Sequence, residues 1–185
     1  MQYFIGFTLP KLIRQAHEEE TKKLSKLFGI LPLHDRSVPH LTFKAPFEFE
    51  DIKSLTGHLK EFCRTQKVGE VKVDGYFFWE SGTIAWKAIA DDDALFFIKN
   101  LLDFLKSMPD LPEDDRANRE MNLHASVARF LTPDKSEEIQ KYLQSAPKPQ
   151  YETKLDTISI YHKVNSKWEE LSVIPVGQIP FIDGV

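Results

Sequence analysis

The chain has 185 residues, a 42% hydrophobic fraction and a formal net charge of −4, as expected of one soluble globular domain without affinity for a long polyanionic duplex. Its single cysteine, Cys63, excludes an internal disulfide and a multi-cysteine metal site, and is consistent with the reducing cytoplasm. No apolar run approaches the ~20 residues of a membrane span, so we expect an unprocessed protein with no membrane partner.

The first half of the chain predicts four strands and two helices. The strands are predicted at residues 2–8, 40–47, 71–79 and 83–90. Apolar residues at helical spacing predict one helix from Pro10 to near Gly29 and a second over residues 52–62. Glu80-Ser81-Gly82 separates two apolar runs and therefore predicts a hairpin turn.

The second half predicts two helices and three strands. Acidic residues 91–93 are expected to cap a helix that ends before Pro109, and Thr132-Pro133 to begin another that ends at Leu143. The strands are predicted at residues 123–130, 155–162 and 168–176. Residues 108–119 are polar and contain proline, which favours a mobile loop. Because the element order lacks a strict βαβ rhythm, the predicted class is α+β.

Two short histidine motifs lie in predicted strands of this pattern. They are His40-Leu41-Thr42 and His124-Ala125-Ser126. Side chains alternate between the two faces of a strand, so each imidazole shares a face with a hydroxyl about 7 Å away along the chain. Each motif strand is followed by a helix and then a strand pair, which suggests two similar halves.

This pairing suits phosphodiester chemistry without a metal. A neutral imidazole takes a proton from a hydroxyl or from water, and an imidazolium gives one to the leaving oxygen. The hydroxyls are able to donate hydrogen bonds to the non-bridging phosphate oxygens. One histidine two positions before a hydroxyl is a weak motif, and a lone one is more often structural. Two motifs with the same strand parity favour a shared catalytic site.

The residues around both motifs resemble the 2H phosphoesterase superfamily, which includes the 2′-5′ RNA ligase-like proteins and RNA cyclic phosphodiesterases. Pro39-His40-Leu41-Thr42-Phe43 is similar to its first motif, and residues 123–129 (LHASVAR) are similar to its second, with serine where threonine is commoner. The resemblance covers nearly the whole chain and implies one two-lobed domain over residues 1–185. In this fold two mainly antiparallel sheets, related by a pseudo-two-fold axis, face a central cleft with the helices outside.

The same resemblance implies an activity and roles for the site residues. The activity is hydrolysis of 2′,3′-cyclic phosphates or related 2′-linked phosphodiesters, with no cofactor and no metal. His40 and His124 are the acid and base in an undecided order, and Thr42 and Ser126 hold the phosphate. The expected partner is a small nucleotide or an RNA end, and the expected state is a monomer. A phosphate-binding module without turnover and RNA 2′-5′ end-joining are the alternatives.

Three further residues are candidates for substrate binding. Lys44 shares the motif face by parity, and is either a cleft cation or a solvated lysine at the end of a strand. Arg129 falls on the opposite face unless a bulge intervenes, although the family often has a basic residue there. Tyr161, or the neighbouring His162, lies on a late strand that the resemblance places beside the first lobe.

The remaining aromatic and histidine residues have weaker functional signals. Four aromatic residues at strand spacing are candidates for stacking on a base, although core positions are commoner for such residues: Tyr76, Phe78, Trp79 and Trp86. His17, His34 and His58 lack ligand spacing, and the helical positions of His17 and His58 predict surface residues. The chain has no His-Glu-x-x-His motif and no glycine-rich phosphate loop.

Overall fold

The computed structural model describes residues 1–112 and 122–177, which form four α-helices and eight strands. The strands are β1 (Gln2–Thr8), β2 (His40–Glu48), β3 (Gly69–Trp79), β4 (Thr83–Ala90), β5 (His124–Ala128), β6 (Gln150–Leu155), β7 (Thr157–Val164) and β8 (Lys167–Pro175). The helices are α1 (Lys11–Phe28), α2 (Ile52–Arg64), α3 (Asp92–Ser107) and α4 (Pro133–Ser145). A short 3₁₀ turn, Leu33–Asp35, precedes β2.

The strands form two four-stranded antiparallel sheets. Sheet A has the order β2-β1-β7-β8 and sheet B has the order β5-β4-β3-β6. The unit β1-α1-β2 in one sheet corresponds to β4-α3-β5 in the other, so the second strand of each unit is an edge strand. This arrangement confirms the predicted α+β class with two antiparallel sheets, and it places both histidine motifs at sheet edges.

Capping residues in the sequence determine where α2, α3 and α4 begin. The side chains of Asp51, Asp91 and Thr132 each accept a hydrogen bond from a backbone N–H in the first turn of α2, α3 and α4. These bonds satisfy amides that have no partner inside a helix. The hairpin turn between β3 and β4 depends on Gly82, whose φ is +75° and whose added Cβ would lie 2.2 Å from the Leu131 carbonyl oxygen.

One continuous cluster of buried residues connects the sheets with the helices that cover them. Ile5, Phe7 and Leu41 enter it from sheet A, and Val73 and Ile84 from sheet B. Helix α1 packs on β5, although it follows β1 of sheet A, and α2 packs on β8. Helix α1 therefore leaves sheet A and covers sheet B, so the two lobes share a core.

The structure adds one strand that the sequence pattern did not predict. Strand β6 pairs with β3 at the edge of sheet B. Its sequence follows Pro147 and Pro149 and has apolar side chains only at Tyr151 and Leu155. An edge strand with one solvated face needs few apolar residues, so this segment lacks the signal that the buried strands carry. Of the predicted loop, residues 113–119 lie outside the described residues.

Candidate active site

The four motif side chains line one cleft between the two sheets. His40 and Thr42 come from β2, and His124 and Ser126 come from β5. The cleft has a volume of about 710 Å³, within the roughly 300–1,000 Å³ range of small-molecule sites. Strands β2 and β5 also contact each other. The structure thus brings into one cleft two motifs that lie on different strands.

The same backbone geometry orients the imidazole ring of each motif. The Nδ1 atom of His40 lies 2.6 Å from the Val38 carbonyl oxygen, and that of His124 lies 2.7 Å from the Asn122 carbonyl oxygen. A carbonyl only accepts, so Nδ1 carries the hydrogen in both neutral rings. Nε2 is then the nitrogen that gains or loses a proton, which is the arrangement that acid-base chemistry requires.

An aromatic ring packs against each imidazole at pseudo-symmetric positions. Tyr161 lies 5.1 Å from His40 and Trp79 lies 4.7 Å from His124, measured between ring centroids. In sheet A the cross-strand partner of Tyr161 is Phe4, which stacks on it at 4.2 Å and covers it. In sheet B the corresponding partner of Trp79 is Thr83, a much smaller side chain. Trp79 therefore lines the cleft, whereas Tyr161 is fully buried behind Phe4.

Burial changes the ionisation of two histidines in the cleft. Desolvation is the main cause that lowers the pKa of His40 to about 4, with further lowering from the charges of His124 and Arg129 and an opposing contribution from the Val38 carbonyl. Burial also lowers the pKa of His17 to about 4. Both imidazoles are consequently neutral near pH 7.

Two β-bulges reverse the predicted positions of Lys44 and Arg129. In β2, Gly6 pairs with Thr42 while Ile5 pairs with Lys44, so one extra residue interrupts the alternation. Lys44 then lies on the buried face of the strand, where its Nζ donates to the Pro112 carbonyl oxygen at 2.7 Å. The parity prediction that placed Lys44 beside His40 and Thr42 is therefore wrong.

The second bulge acts on Arg129 in the opposite sense. Ala85 pairs with Ser126 and Ile84 pairs with Ala128, so Val127 is the extra residue in β5. The extra residue shifts the alternation, so Arg129 lies on the face that carries His124 and lines the cleft. Strand parity had favoured the opposite face for Arg129 in the absence of a bulge.

Among the aromatic candidates, Trp79 alone lies along the cleft. Trp86 is buried, and its indole N–H donates to the Glu20 carboxylate, which also accepts from the Tyr76 hydroxyl at 2.5 Å. Phe78 packs against the core. The cleft contains other aromatic side chains that the sequence pattern did not single out: Phe4, Phe130 and Trp168.

His17 is buried, which contradicts its predicted surface position. Its Nε2 lies 3.4 Å from the Ala125 carbonyl oxygen of the second motif, and its ring meets Trp86 edge to face. His17 lies four residues after Ile13 and four before Thr21 on the buried face of α1. That spacing was visible in the sequence and indicates burial. His34 also lines the cleft, from the 3₁₀ turn.

The cleft carries positive charge within an acidic protein. Its lining includes Arg36, Arg129 and Lys163, and none of the described residues that line it is an aspartate or a glutamate. Within residues 1–112 and 122–177, no ion pair involves any of these three cations. The field in the cleft therefore favours an anionic ligand although the net charge is −4.

A metal-binding cluster and a membrane-spanning helix are both absent from the described residues. Among them, no group of three or more His, Cys, Asp or Glu side chains is arranged to hold a metal ion. No helix in the described part of the chain is long and apolar enough to cross a membrane.

Comparisons with known proteins give the family and support the fold. Residues 13–167 match the family model of the 2′-5′ RNA ligase superfamily. The structure of TT0787 from Thermus thermophilus matches with a TM-score of 0.64 at 16% identity, and that of E. coli LigT complexed with 3′-AMP matches with 0.62 at 13%; each match covers 96% of this chain and 98% of the other. Usb1 from Kluyveromyces marxianus matches with 0.51 at 14%, covering 95% and 98%. No curated protein matches the sequence. At these identities the structural matches show the fold.

Proposed function

The chain belongs to the 2′-5′ RNA ligase superfamily, a group of 2H phosphoesterases, and from this premise we propose that it hydrolyses 2′,3′-cyclic phosphates or related 2′-linked phosphodiesters. The substrate is a small nucleotide or an RNA end, and no metal takes part. The observation that carries the proposal is the pair of imidazoles, each oriented through Nδ1 by a backbone carbonyl, on the two sides of one cleft.

The reaction uses the four motif side chains in two roles. One imidazole removes a proton from water, whose oxygen attacks phosphorus, and the other imidazolium gives a proton to the ribose oxygen when the bond from phosphorus to that oxygen breaks. The product is a phosphate monoester. The hydroxyls of Thr42 and Ser126 donate to the non-bridging oxygens, where charge accumulates in the transition state.

The size and charge of the cleft support a nucleotide as substrate. The volume of about 710 Å³ accommodates a base, a ribose and a phosphate. The LigT structure with 3′-AMP and a second LigT structure with NADP+ show that proteins of this fold are found with nucleotides. Trp79 offers an accessible indole beside His124, suited to stacking on a base.

Since each lobe supplies one histidine and one hydroxyl, we also propose that residues 1–185 act as a single two-lobed domain. The protein works as a monomer in this proposal, because both halves of the site come from the same chain. A separated lobe would hold one imidazole and could not supply acid and base together.

The test is steady-state hydrolysis of adenosine 2′,3′-cyclic phosphate by the wild type and four alanine variants. His40→Ala and His124→Ala are each expected to lower kcat by roughly 10²–10⁴-fold, with the double variant little worse than either single variant. Thr42→Ala and Ser126→Ala are expected to lower kcat less, since the proton transfers remain. His58→Ala, on the exposed side of α2, is the matched control and should retain full activity.

Two further measurements separate the alternatives. Exhaustive chelation should leave hydrolysis intact, and recovery of lost activity by a divalent ion would require another mechanism. Calorimetric binding of the same nucleotide distinguishes an enzyme from a phosphate-binding module. Tight binding without turnover in the wild type, and wild-type turnover in both histidine variants, would each contradict acid-base catalysis by the pair. Joining of RNA ends is tested with 2′,3′-cyclic phosphate and 5′-hydroxyl oligonucleotides.

A further inference from the structure

The cations of the cleft fall into two groups. Arg129 belongs to the reaction centre, since it is the last residue of the second motif region, 123–129, and lines the cleft, where its charge acts on His40. Arg36 and Lys163 lie in the wall that the 3₁₀ turn and the β7–β8 hairpin form. A single phosphodiester carries one negative charge, which the motif side chains and Arg129 already meet. Arg36 and Lys163 therefore exceed what the scissile phosphate requires.

A row of aromatic rings separates this wall from the reaction centre. The Phe4 ring lies 4.6 Å from the His40 ring, and the Trp168 ring lies 4.9 Å from Phe4. Lys163 Nζ then lies 5.9 Å from the centre of the Trp168 ring. A ligand that extends from the histidines past these rings reaches the two cations. The Trp168 ring lines the cleft and suits contact with a ribose or a base.

Backbone pairing holds the two cations of this wall on either side of the Trp168 backbone. The N–H of Trp168 donates to the Arg36 carbonyl oxygen at 2.8 Å, and Ser37 forms a parallel bridge with Trp168. Lys163 is the cross-strand partner of Trp168 in the hairpin. Lys163 also donates to the neutral side-chain oxygen of Gln2 at 3.2 Å, and it forms no ion pair within residues 1–112 and 122–177. The wall thus presents two cations on a fixed backbone.

We propose that Arg36 and Lys163 form a subsite for a second phosphate, so that the preferred substrate carries a phosphate one nucleoside away from the scissile group. This inference rests on the proposed function of the same cleft. The second phosphate belongs either to the 5′ position of the same nucleotide or to the linkage with the preceding nucleotide of an RNA chain. In both cases the recognised group is a phosphate anion bound by charge-assisted hydrogen bonds.

Three substrates distinguish these sources. The first is adenosine 2′,3′-cyclic phosphate, the second is the same nucleoside with an added 5′-phosphate, and the third is a dinucleotide that ends in a 2′,3′-cyclic phosphate and begins with a 5′-hydroxyl. We expect kcat/KM for the second or the third substrate to exceed that for the first by about 10-fold or more at low salt, and the advantage to shrink as salt rises. The substrate with the higher kcat/KM shows whether the second phosphate is the 5′-phosphate of the same nucleotide or the linkage to the preceding nucleotide.

Two variants and a matched control assign the effect to the subsite. Arg36→Gln and Lys163→Met should remove the advantage of the phosphate-bearing substrates and lower kcat/KM for the first substrate much less, because the first substrate has no second phosphate for these residues to bind. Lys167→Met is the control, since Lys167 belongs to the same hairpin but does not line the cleft. The Lys167→Met variant should keep the higher kcat/KM for the phosphate-bearing substrates.

The outcomes separate the subsite from the proposed function. Equal rates on all three substrates in the wild type, or an equal loss on all three in the variants, would overturn the subsite while hydrolysis stands. If none of the substrates is hydrolysed, the proposed function fails and calorimetry with the same three nucleotides still tests the subsite. Weaker binding of the phosphate-bearing nucleotides alone by Arg36→Gln then supports it, and unchanged binding contradicts it.

Discussion

The environment of His40 keeps its imidazole neutral near pH 7. Phe4 and Tyr161 pack against the ring, and burial, together with the positive charges of His124 and Arg129, lowers its pKa to about 4. A neutral imidazole that keeps its hydrogen on Nδ1 presents the lone pair of Nε2, which is the state a base needs. We therefore propose that His40 removes the proton from water and that His124 donates one to the leaving oxygen.

This assignment predicts the acidic limb of the pH profile. The base must be deprotonated, so kcat/KM falls when the pH drops below the pKa of His40. Because that pKa is lowered from 6.5 to about 4, the limb should lie well below pH 6.5. Arg129→Gln removes a positive charge, raises the pKa of His40 and should move the limb upward.

Profiles of kcat/KM against pH for the wild type and Arg129→Gln test both statements. His40 and His124 interact, so the fitted values describe the pair. The direction of the change between the two proteins is the informative quantity. A limb that stays in place in the variant would contradict a role for Arg129 in the ionisation of His40.

His17 links the ionisation of the site to the stability of the fold. It is 3% exposed, and burial lowers its pKa from 6.5 to about 4. Between about pH 4 and 6.5, His17 is therefore neutral in the folded state and protonated in the unfolded state. The stability that the neutral ring contributes is complete above about pH 6.5, declines as the pH falls, and is lost once the pH passes about 4.

His17→Leu should weaken the loss of stability on acidification. Each such group contributes a slope of about 1.4 kcal/mol per pH unit between its two pKa values, and leucine removes the contribution of residue 17. Urea unfolding at pH 7 and pH 4.5 gives the two free energies of unfolding. The exposed His58→Leu should leave the wild-type difference unchanged. An equal difference in His17→Leu and the wild type would show that this ring does not take part.

At the scale of single residues, the sequence supported predictions only for groups whose chemistry repeats. The two histidine-hydroxyl pairs share parity and spacing, so both were assigned to one site, and the structure places them in one cleft. Arg36 and Lys163 are ordinary charged residues in the sequence. Their relation to the cleft arises from the pairing of the 3₁₀ turn with the β7–β8 hairpin, which no local pattern encodes.

At the scale of elements, regular geometry was predictable and irregular geometry was not. Alternating burial in β2 and β5 predicted the motif face correctly up to Thr42 and Ser126. Beyond these residues, the bulges exchanged the expected positions of Lys44 and Arg129. A bulge leaves little signal in the sequence, because one inserted residue changes the parity of the strand without changing its composition.

Gly6 lies opposite the first bulge, where β1 approaches the motif strand closely. A Cβ at position 6 would lie 2.3 Å from the carbonyl oxygen of Leu41, the residue between His40 and Thr42. Gly6→Ala should therefore displace the motif strand, lower the free energy of unfolding by about 1–3 kcal/mol as overpacking does, and reduce kcat/KM.

A second glycine supplies the control. Gly57 lies inside α2 with nothing within 4 Å of an added Cβ, so Gly57→Ala should stabilise the protein by about 0.5–1 kcal/mol and leave kcat/KM unchanged. Urea unfolding and cyclic-nucleotide hydrolysis measure both effects. Wild-type stability and activity in Gly6→Ala would show that the backbone accommodates the methyl group.

At the scale of the whole molecule, the two lobes are interlocked. Sheet B is formed by the chain between β2 and β7 of sheet A. Helix α1 follows β1 of sheet A, yet its Glu20 accepts hydrogen bonds from Tyr76 and Trp86 of sheet B. The buried cluster runs through both sheets. Because neither lobe keeps its core when the other opens, we expect a single cooperative unfolding transition.

Two local signals are able to test this cooperativity. In Trp168→Phe the remaining tryptophans, Trp79 and Trp86, both lie in sheet B, so fluorescence follows that lobe alone. Cys63 is fully buried in α2, which packs on β8 of sheet A, and its thiol reacts only after that lobe opens. Fluorescence and brief thiol labelling across a urea series should give the same midpoint and the same dependence on urea. Two separated midpoints would show that the lobes unfold independently, and each would then have to be described as a domain with its own stability.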